Sequence, residues 1–184
     1  MSEIHMSKIT EIKEEIKIPE NVQITIDGKN VSVKGQKGLL SKRFANPNIS
    51  LITKGNVIQI SCAQAPRRKE RALIGTYKAH LKNMIKGVSK GYECTMKTVF
   101  SHFPIKTSVE GNQLVIQNFL GERYARRADI LENVKIEVKG DTLILTGIDK
   151  EKVGQTAVNI ERTTKVKNRD IRVFQDGIYI VKRG

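Results

Sequence analysis

The chain has 184 residues, with 33 Lys and Arg against 19 Asp and Glu, a formal charge of +14 and a pI near 9.9. That length allows one ordinary domain or two small ones, and 39% hydrophobic content can build cores, which excludes a basic tail disordered throughout. No apolar run of about eighteen residues occurs, and the start of the chain mixes Lys8, Lys13 and Lys17 with glutamates instead of a basic and then apolar leader, so a soluble, cytoplasmic protein is expected.

Residues 1–15 read as an N-terminal extension, and the first twenty residues begin either a helix through Ile9, Ile12 and Ile16 or a strand through Ile16 and Ile18. Val22, Ile24 and Ile26 alternate, Asp27-Gly28-Lys29-Asn30 supplies a turn, and Val31 and Val33 alternate again, which predicts a hairpin. Gly35-Gln36-Lys37-Gly38 lacks the order of a nucleotide-binding glycine loop and is expected to bend a sheet. Ile49, Leu51 and Thr53, a Lys54-Gly55-Asn56 turn, then Val57 to Ile60 predict a second hairpin. A helix follows from about Pro66 to Lys86, with Pro66 in its first turn, Gly87 as its stop, and Ile74, Tyr77, Leu81, Met84 and Ile85 on one face. Residues 92–109 look extended and read as the last strands of a first unit and the entry to a second.

The second half repeats this order. Glu110-Gly111-Asn112-Gln113 takes the place of Asp27-Gly28-Lys29-Asn30 at an offset of 83, with Gly121 on Gly38 and Arg126 on Arg43; Lys139-Gly140-Asp141 matches Lys54-Gly55-Asn56 at 85, and Gly154 matches Gly75 at 79. Val134, Ile136 and Val138 with Leu143 and Leu145 form the matching hairpin. A helix at about Lys150 to Thr164 places Val153, Ala157 and Ile160 on one face. Ile171 and Val173, an Asp176-Gly177 turn, then Ile178 and Ile180 predict a closing hairpin. The expected fold class is α+β: two tandem duplicated domains, each an antiparallel sheet with one packed helix, over residues 16–100 and 101–184.

Charge is concentrated. From Lys34 to Lys90 there are 13 bases and one acid, and from Arg162 to Gly184 seven bases and two acids, whereas residues 91–161 carry nine and ten. Such surfaces suit a polyanion, and nucleic acid fits better than a membrane, because no amphipathic helix with bulky anchors stands out. Cys62 and Cys94 lack CxxC spacing and adjacent histidines, which predicts buried, reduced thiols and no metal site. His80 and His102 belong to different elements, and no serine sits in a nucleophile elbow, so neither a catalytic centre nor a cofactor is expected.

Two blocks point to a family. Gly75-Thr76, His80, Asn83-Met84, Gly87-Val88 and Gly91-Tyr92 resemble the first-domain signature of the universal large-subunit ribosomal protein family numbered six. Gly154-Gln155-Thr156-Ala157, Ile160-Glu161, Thr164-Lys165, Asp170 and the run from Arg172 to Tyr179 are similar to its second signature in the archaeal and eukaryotic form. The resemblance spans about Ile16 to Val181 and implies a place in the large subunit near the stalk base and the sarcin–ricin region. Large-subunit rRNA would be bound mainly by the second domain, with neighbouring ribosomal proteins and translational GTPases close by.

For RNA contact the sequence offers Lys165, Lys167, Arg169 and Arg172, which can neutralise successive phosphates, and Gln155, Asn159 and Gln175 as hydrogen-bonding partners for an A-form minor groove. Asp176-Gly177 would turn the chain to aim them. Arg67, Arg68 and Lys69 open the first helix, whose N-terminus is already positive, so either an anion or solvent with Glu70 relieves the conflict. Arg123, Arg126 and Arg127 beside Tyr124 either touch RNA or keep an edge strand from pairing with other molecules. Three functional classes follow: a resident rRNA-bound protein, a free RNA-binding module such as a chaperone, and a nuclease using His80 and His102.

Overall fold

The computed structural model describes residues 12–62 and 68–184. Pro66, Arg67 and the N-terminal stretch with Ile9 lie outside the described residues. The chain divides after Ser89 into two compact units, and each has its own apolar core.

In the first unit β1 (Ile12–Lys17) opens as a strand, which decides between helix and strand for this stretch. Its register on a later strand sets Ile16 opposite Ile58, and Lys78 of the helix reaches back to Glu14 at 2.6 Å. β2 (Gln23–Asp27), β3 (Asn30–Gly35) and β4 (Gly38–Arg43) form one antiparallel sheet in the order β2-β3-β4. β5 (Ile49–Lys54) and β6 (Val57–Cys62) join β1 in a second, ordered β1-β6-β5. α1 (Arg68–Ser89) buries the predicted face of Ile74, Tyr77, Leu81, Met84 and Ile85 in a core shared with Val31 and Val33 of one sheet and Ile58 and Ile60 of the other.

Gly87 does not end α1. The helix continues for half a turn because Val88 is fully buried, and the left-handed residue after it is Gly91, at φ 79°. Gly35 and Gly38 close the β3–β4 hairpin around Gln36-Lys37, and a Cβ on Gly35 would lie 2.7 Å from Val88 Cγ2 and 2.8 Å from its carbonyl oxygen. The glycine there is required by the approach of the helix end.

The second unit repeats the plan. β7 (Tyr92–Val99) corresponds to β1, pairing with β12 (Thr142–Gly147) as β1 does with β6. β8 (Lys106–Glu110), β9 (Gln113–Gln117) and β10 (Arg126–Asp129) make a three-stranded sheet. β11 (Val134–Lys139), β12, β7 and β13 (Gly177–Arg183) make a four-stranded one in that order. α2 (Lys150–Thr163) starts where the Asp149 carboxylate accepts from the Glu151 amide at 2.9 Å, and it buries Val153, Ala157 and Ile160 in a core with Met96, Leu143, Leu145 and Ile178.

Three expectations change. Residues 92–99 do not finish the first unit: Met96 faces Leu143 on one side and Ile180 on the other, so this strand lies inside the second unit's sheet and the division falls after Ser89, not at residue 100. Each unit carries two antiparallel sheets where one is expected, both packed on the same helix. Ile171 and Val173 form no strand; the Asp170 carboxylate accepts from the Arg172 amide and its carbonyl from Val173 and Phe174, which coils this stretch into a turn and leaves both aliphatic side chains about 70% exposed.

Candidate nucleic-acid interface

The basic run after α2 is built as a closed loop. At one end Thr164, 2% exposed, turns its hydroxyl into the last helical turn and donates to Ile160 O at 3.2 Å. The same oxygen accepts from the amide of Ile178, at the start of β13, at 3.1 Å. One buried hydroxyl thus ties the residue before the loop to the strand after it, and the chain between them bulges outward in the manner of an Ω-loop. Asn168 takes a left-handed φ of 57°, which asparagine tolerates, and Asp170 closes the turn described above. Lys165, Lys167, Arg169 and Arg172 are all exposed. Asp170 spends its carboxylate on the Arg172 amide and Asp176 is buried, so the outward face is cationic.

The loop is held from a second direction by Arg126. Its Nε and Nη2 donate to the two carboxylate oxygens of Glu122 at 2.8 and 2.6 Å, while Nη1 donates to Thr163 O at 2.7 Å and Lys165 O at 3.3 Å. The guanidinium also lies 4.1 Å above the Phe119 ring. A cation on the last carbonyls of α2 complements the negative end of the helix, and the same carbonyls mark where the basic run leaves it. The Arg126 guanidinium holds the Glu122 carboxyl below its ordinary value, chiefly by hydrogen bonding. Between contact with RNA and protection of an edge strand, the sequence did not suggest this third role. Its repeat equivalent Arg43 is exposed. Arg123, Arg127 and Tyr124 are exposed too, and Tyr124 is 82% accessible.

The remaining residues separate into groups. Gln175 belongs to the loop, and its amide donates to Arg172 O at 3.3 Å. Gln155 and Asn159 instead pair with each other along α2 at 2.9 Å, and Asn159 donates to Asp129 O at 3.4 Å, which joins the helix to β10. Arg68 and Lys69 are exposed in the first turn of α1, in the other unit, and Arg67 lies outside the described residues. Gly177 opens β13 and Asp176 is 3% exposed, so the turn that aims the cations is made at Asp170, not at Asp176-Gly177. His80 Nδ1 accepts a hydrogen bond from Lys42 Nζ at 3.2 Å, and His102 is exposed on a bend in the second unit.

Sequence reasoning missed two aromatic side chains. Phe174 carries Arg169 above its ring at 4.9 Å, and Tyr179, on β13, donates its hydroxyl to Gln175 O at 3.1 Å. Their spacing on either side of Gly177 gives no periodic signal, and only the closed loop brings them to the cationic face. Among the described residues, no group of three or more His, Cys, Asp and Glu side chains could hold a metal ion, and no helix is long and apolar enough to cross a membrane.

Comparison with known proteins accords with this two-unit architecture. The family model described as Ribosomal protein L6 matches residues 18–91 and 103–177, one stretch in each half. The large ribosomal subunit protein uL6 of Methanobrevibacter smithii is 48% identical over 172 residues, 94% of this chain and 96% of its own. Proteins of the same description from Methanocella arvoryzae and Methanococcus vannielii are 48% and 45% identical, covering 92% and 94% of this chain.

Proposed function

The chain belongs to the ribosomal protein L6 family, and we propose that, as a structural and non-enzymatic protein of the large ribosomal subunit, it grips large-subunit rRNA through the loop that follows α2. The observation that carries this reading is the loop's construction: four exposed cations on a segment whose ends are pinned by Thr164 and whose exit from the helix is fixed by Arg126. A flexible basic tail would lose much of its electrostatic gain to ordering on contact, whereas a pre-formed loop does not. Lys165, Lys167, Arg169 and Arg172 meet phosphates, and Gln175 meets sugar or base edges beside them. Gln155 and Asn159 face RNA from α2 while also bracing each other, and Arg68 and Lys69, with Arg67, form a second contact in the first unit.

On this reading the second unit lies in the ribosome against rRNA near the stalk base and the sarcin–ricin region, beside neighbouring ribosomal proteins and within reach of translational GTPases, in the cytoplasm. The family matches support the coarse assignment, and the location rests on resemblance. Sedimentation through a high-salt gradient tests residence. Co-migration with large subunits is expected, and recovery of the protein free at the top would favour a transient RNA-binding module.

A further inference from the structure

Between the end of α2, the loop and β13 lies a half-open cavity of about 430 Å³ lined by Val166, Ile171, Phe174 and Tyr179, together with the exposed cations Arg162 and Lys165. This volume falls within the range of small-molecule pockets, about 300–1,000 Å³. Ile171, on the cationic loop, is 70% exposed, and Tyr179, on the adjoining β13, 43%. Exposed apolar groups gathered in one place mark a contact surface. A continuous A-form helix does not cover such a surface, since it offers phosphates and 2′-hydroxyls to the protein and keeps its base faces stacked inside.

We propose that this cavity takes one unstacked nucleobase of the rRNA, with the adjoining phosphates on Lys165 and Arg162. The inference rests on the rRNA reading of the loop and names what that loop recognises beyond charge. Every base has an apolar π face to lay on an aromatic ring, and RNA bulges and loops are read in this way. The rings are held in place beforehand, Tyr179 by its hydroxyl on Gln175 O and Phe174 under the Arg169 guanidinium. Glu161 also lines the cavity. Its carboxylate disfavours a phosphate inside and can accept from a base amino group, while the Gln175 amide, on the same lining, offers both a donor and an acceptor to a base edge. The phosphates therefore stay at the rim and the base enters.

The test is rebinding to salt-washed large-subunit cores depleted of the protein, measured against salt for wild type, Phe174→Leu, Tyr179→Leu and Tyr179→Phe, all checked for an unchanged thermal unfolding midpoint. Each leucine variant is expected to weaken rebinding about five- to 150-fold, the effect of losing one base–aromatic stack, with the salt dependence unchanged because no phosphate contact is lost. Tyr179→Phe keeps the ring but loses the hydroxyl that fixes it on Gln175 O, and is expected to weaken rebinding less than Tyr179→Leu. Ultraviolet irradiation of intact subunits should then attach a nucleotide to the peptide that carries Phe174 and Tyr179. Salt-dependent wild-type rebinding with unaltered affinity in both leucine variants, or attachment of a neighbouring protein at this peptide, overturns the base pocket and leaves the rRNA reading standing. Wild-type rebinding that ignores salt removes both.

Discussion

Removing an acid from a strongly basic RNA-binding protein ordinarily tightens its hold on RNA, yet Glu122→Ala is expected to weaken it. Glu122 orients the fork of Arg126 by two short hydrogen bonds, and the remaining nitrogen of that fork holds Thr163 O and Lys165 O at the root of the cationic loop. The ion pair is partly exposed, with side-chain accessibilities of 22% for Arg126 and 40% for Glu122, so its bidentate geometry contributes at most about 1 kcal/mol. The cation on the helix end adds roughly another 0.3–1 kcal/mol. If the loop must be ordered again on contact, the affinity lost cannot exceed the free energy of the whole clamp, about 2 kcal/mol, or some 30-fold. Glu122→Ala should therefore cost about 3- to 5-fold in rebinding to salt-washed cores despite raising the net charge, and Arg126→Lys, which keeps the charge on the helix end but loses the fork, about 5-fold. The double variant should lose no more than Arg126→Lys alone, because both changes open the same clamp. The lowered carboxyl of Glu122 adds stability that is fully present above the ordinary glutamate range and is lost as pH falls through its folded value; this acid-side contribution should vanish in Arg126→Ala. Tighter rebinding of Glu122→Ala would show that charge and not placement governs, and a salt slope reduced in Arg126→Ala by about 0.7–0.9 would show that Arg126 is itself a phosphate contact.

Three further outcomes follow from the fold. Gly111→Ala should lower stability by about 1–2 kcal/mol in urea unfolding, because φ is +59° there while a Cβ would touch nothing, so the effect is purely conformational; Asn at this site should cost less. Gly35→Ala should cost about 3 kcal/mol, and Val88→Ala should fail to rescue it, since the clash with the Val88 carbonyl oxygen survives the loss of the side chain. Cys94 is buried and its thiol is pushed up chiefly by that burial, so alkylation at mildly basic pH should be slow in the folded protein and rapid in denaturant; fast labelling of the native protein would contradict the placement of β7 in the sheet interior.

The duplication was legible because its markers are local. Gly28, Gly55, Gly111 and Gly140 all sit in two-residue hairpin loops at φ between 58° and 60°, and a positive φ leaves its trace in the residue type. The helix faces were equally plain, since spacing alone places Ile74, Leu81, Val153 and Ile160. What failed depended on distant partners. The alternation of Tyr92–Val99 marks a strand, but its neighbours are Thr142–Gly147 and Gly177–Arg183, so nothing local says to which unit it belongs. Ile171 and Val173 alternate like a strand, yet Asp170 captures the backbone first. At the interface, charge predicted which side chains stay in water. The Thr163 carbonyl beneath Arg126 arises only when residues 37 apart in sequence meet, and the aromatic cavity only when the loop folds back between α2 and β13.

The most direct measurement of the central claim is the salt dependence of rebinding for a variant with Lys165, Lys167, Arg169 and Arg172 all changed to alanine, compared with one in which an equal number of exposed lysines, Lys106, Lys135, Lys139 and Lys150, is replaced. Loss of four phosphate contacts should flatten the slope of the loop variant by about 3 log units per log unit of salt, while the control keeps nearly the wild-type slope. Equal slopes in the two variants would contradict a grip on rRNA centred on the loop after α2.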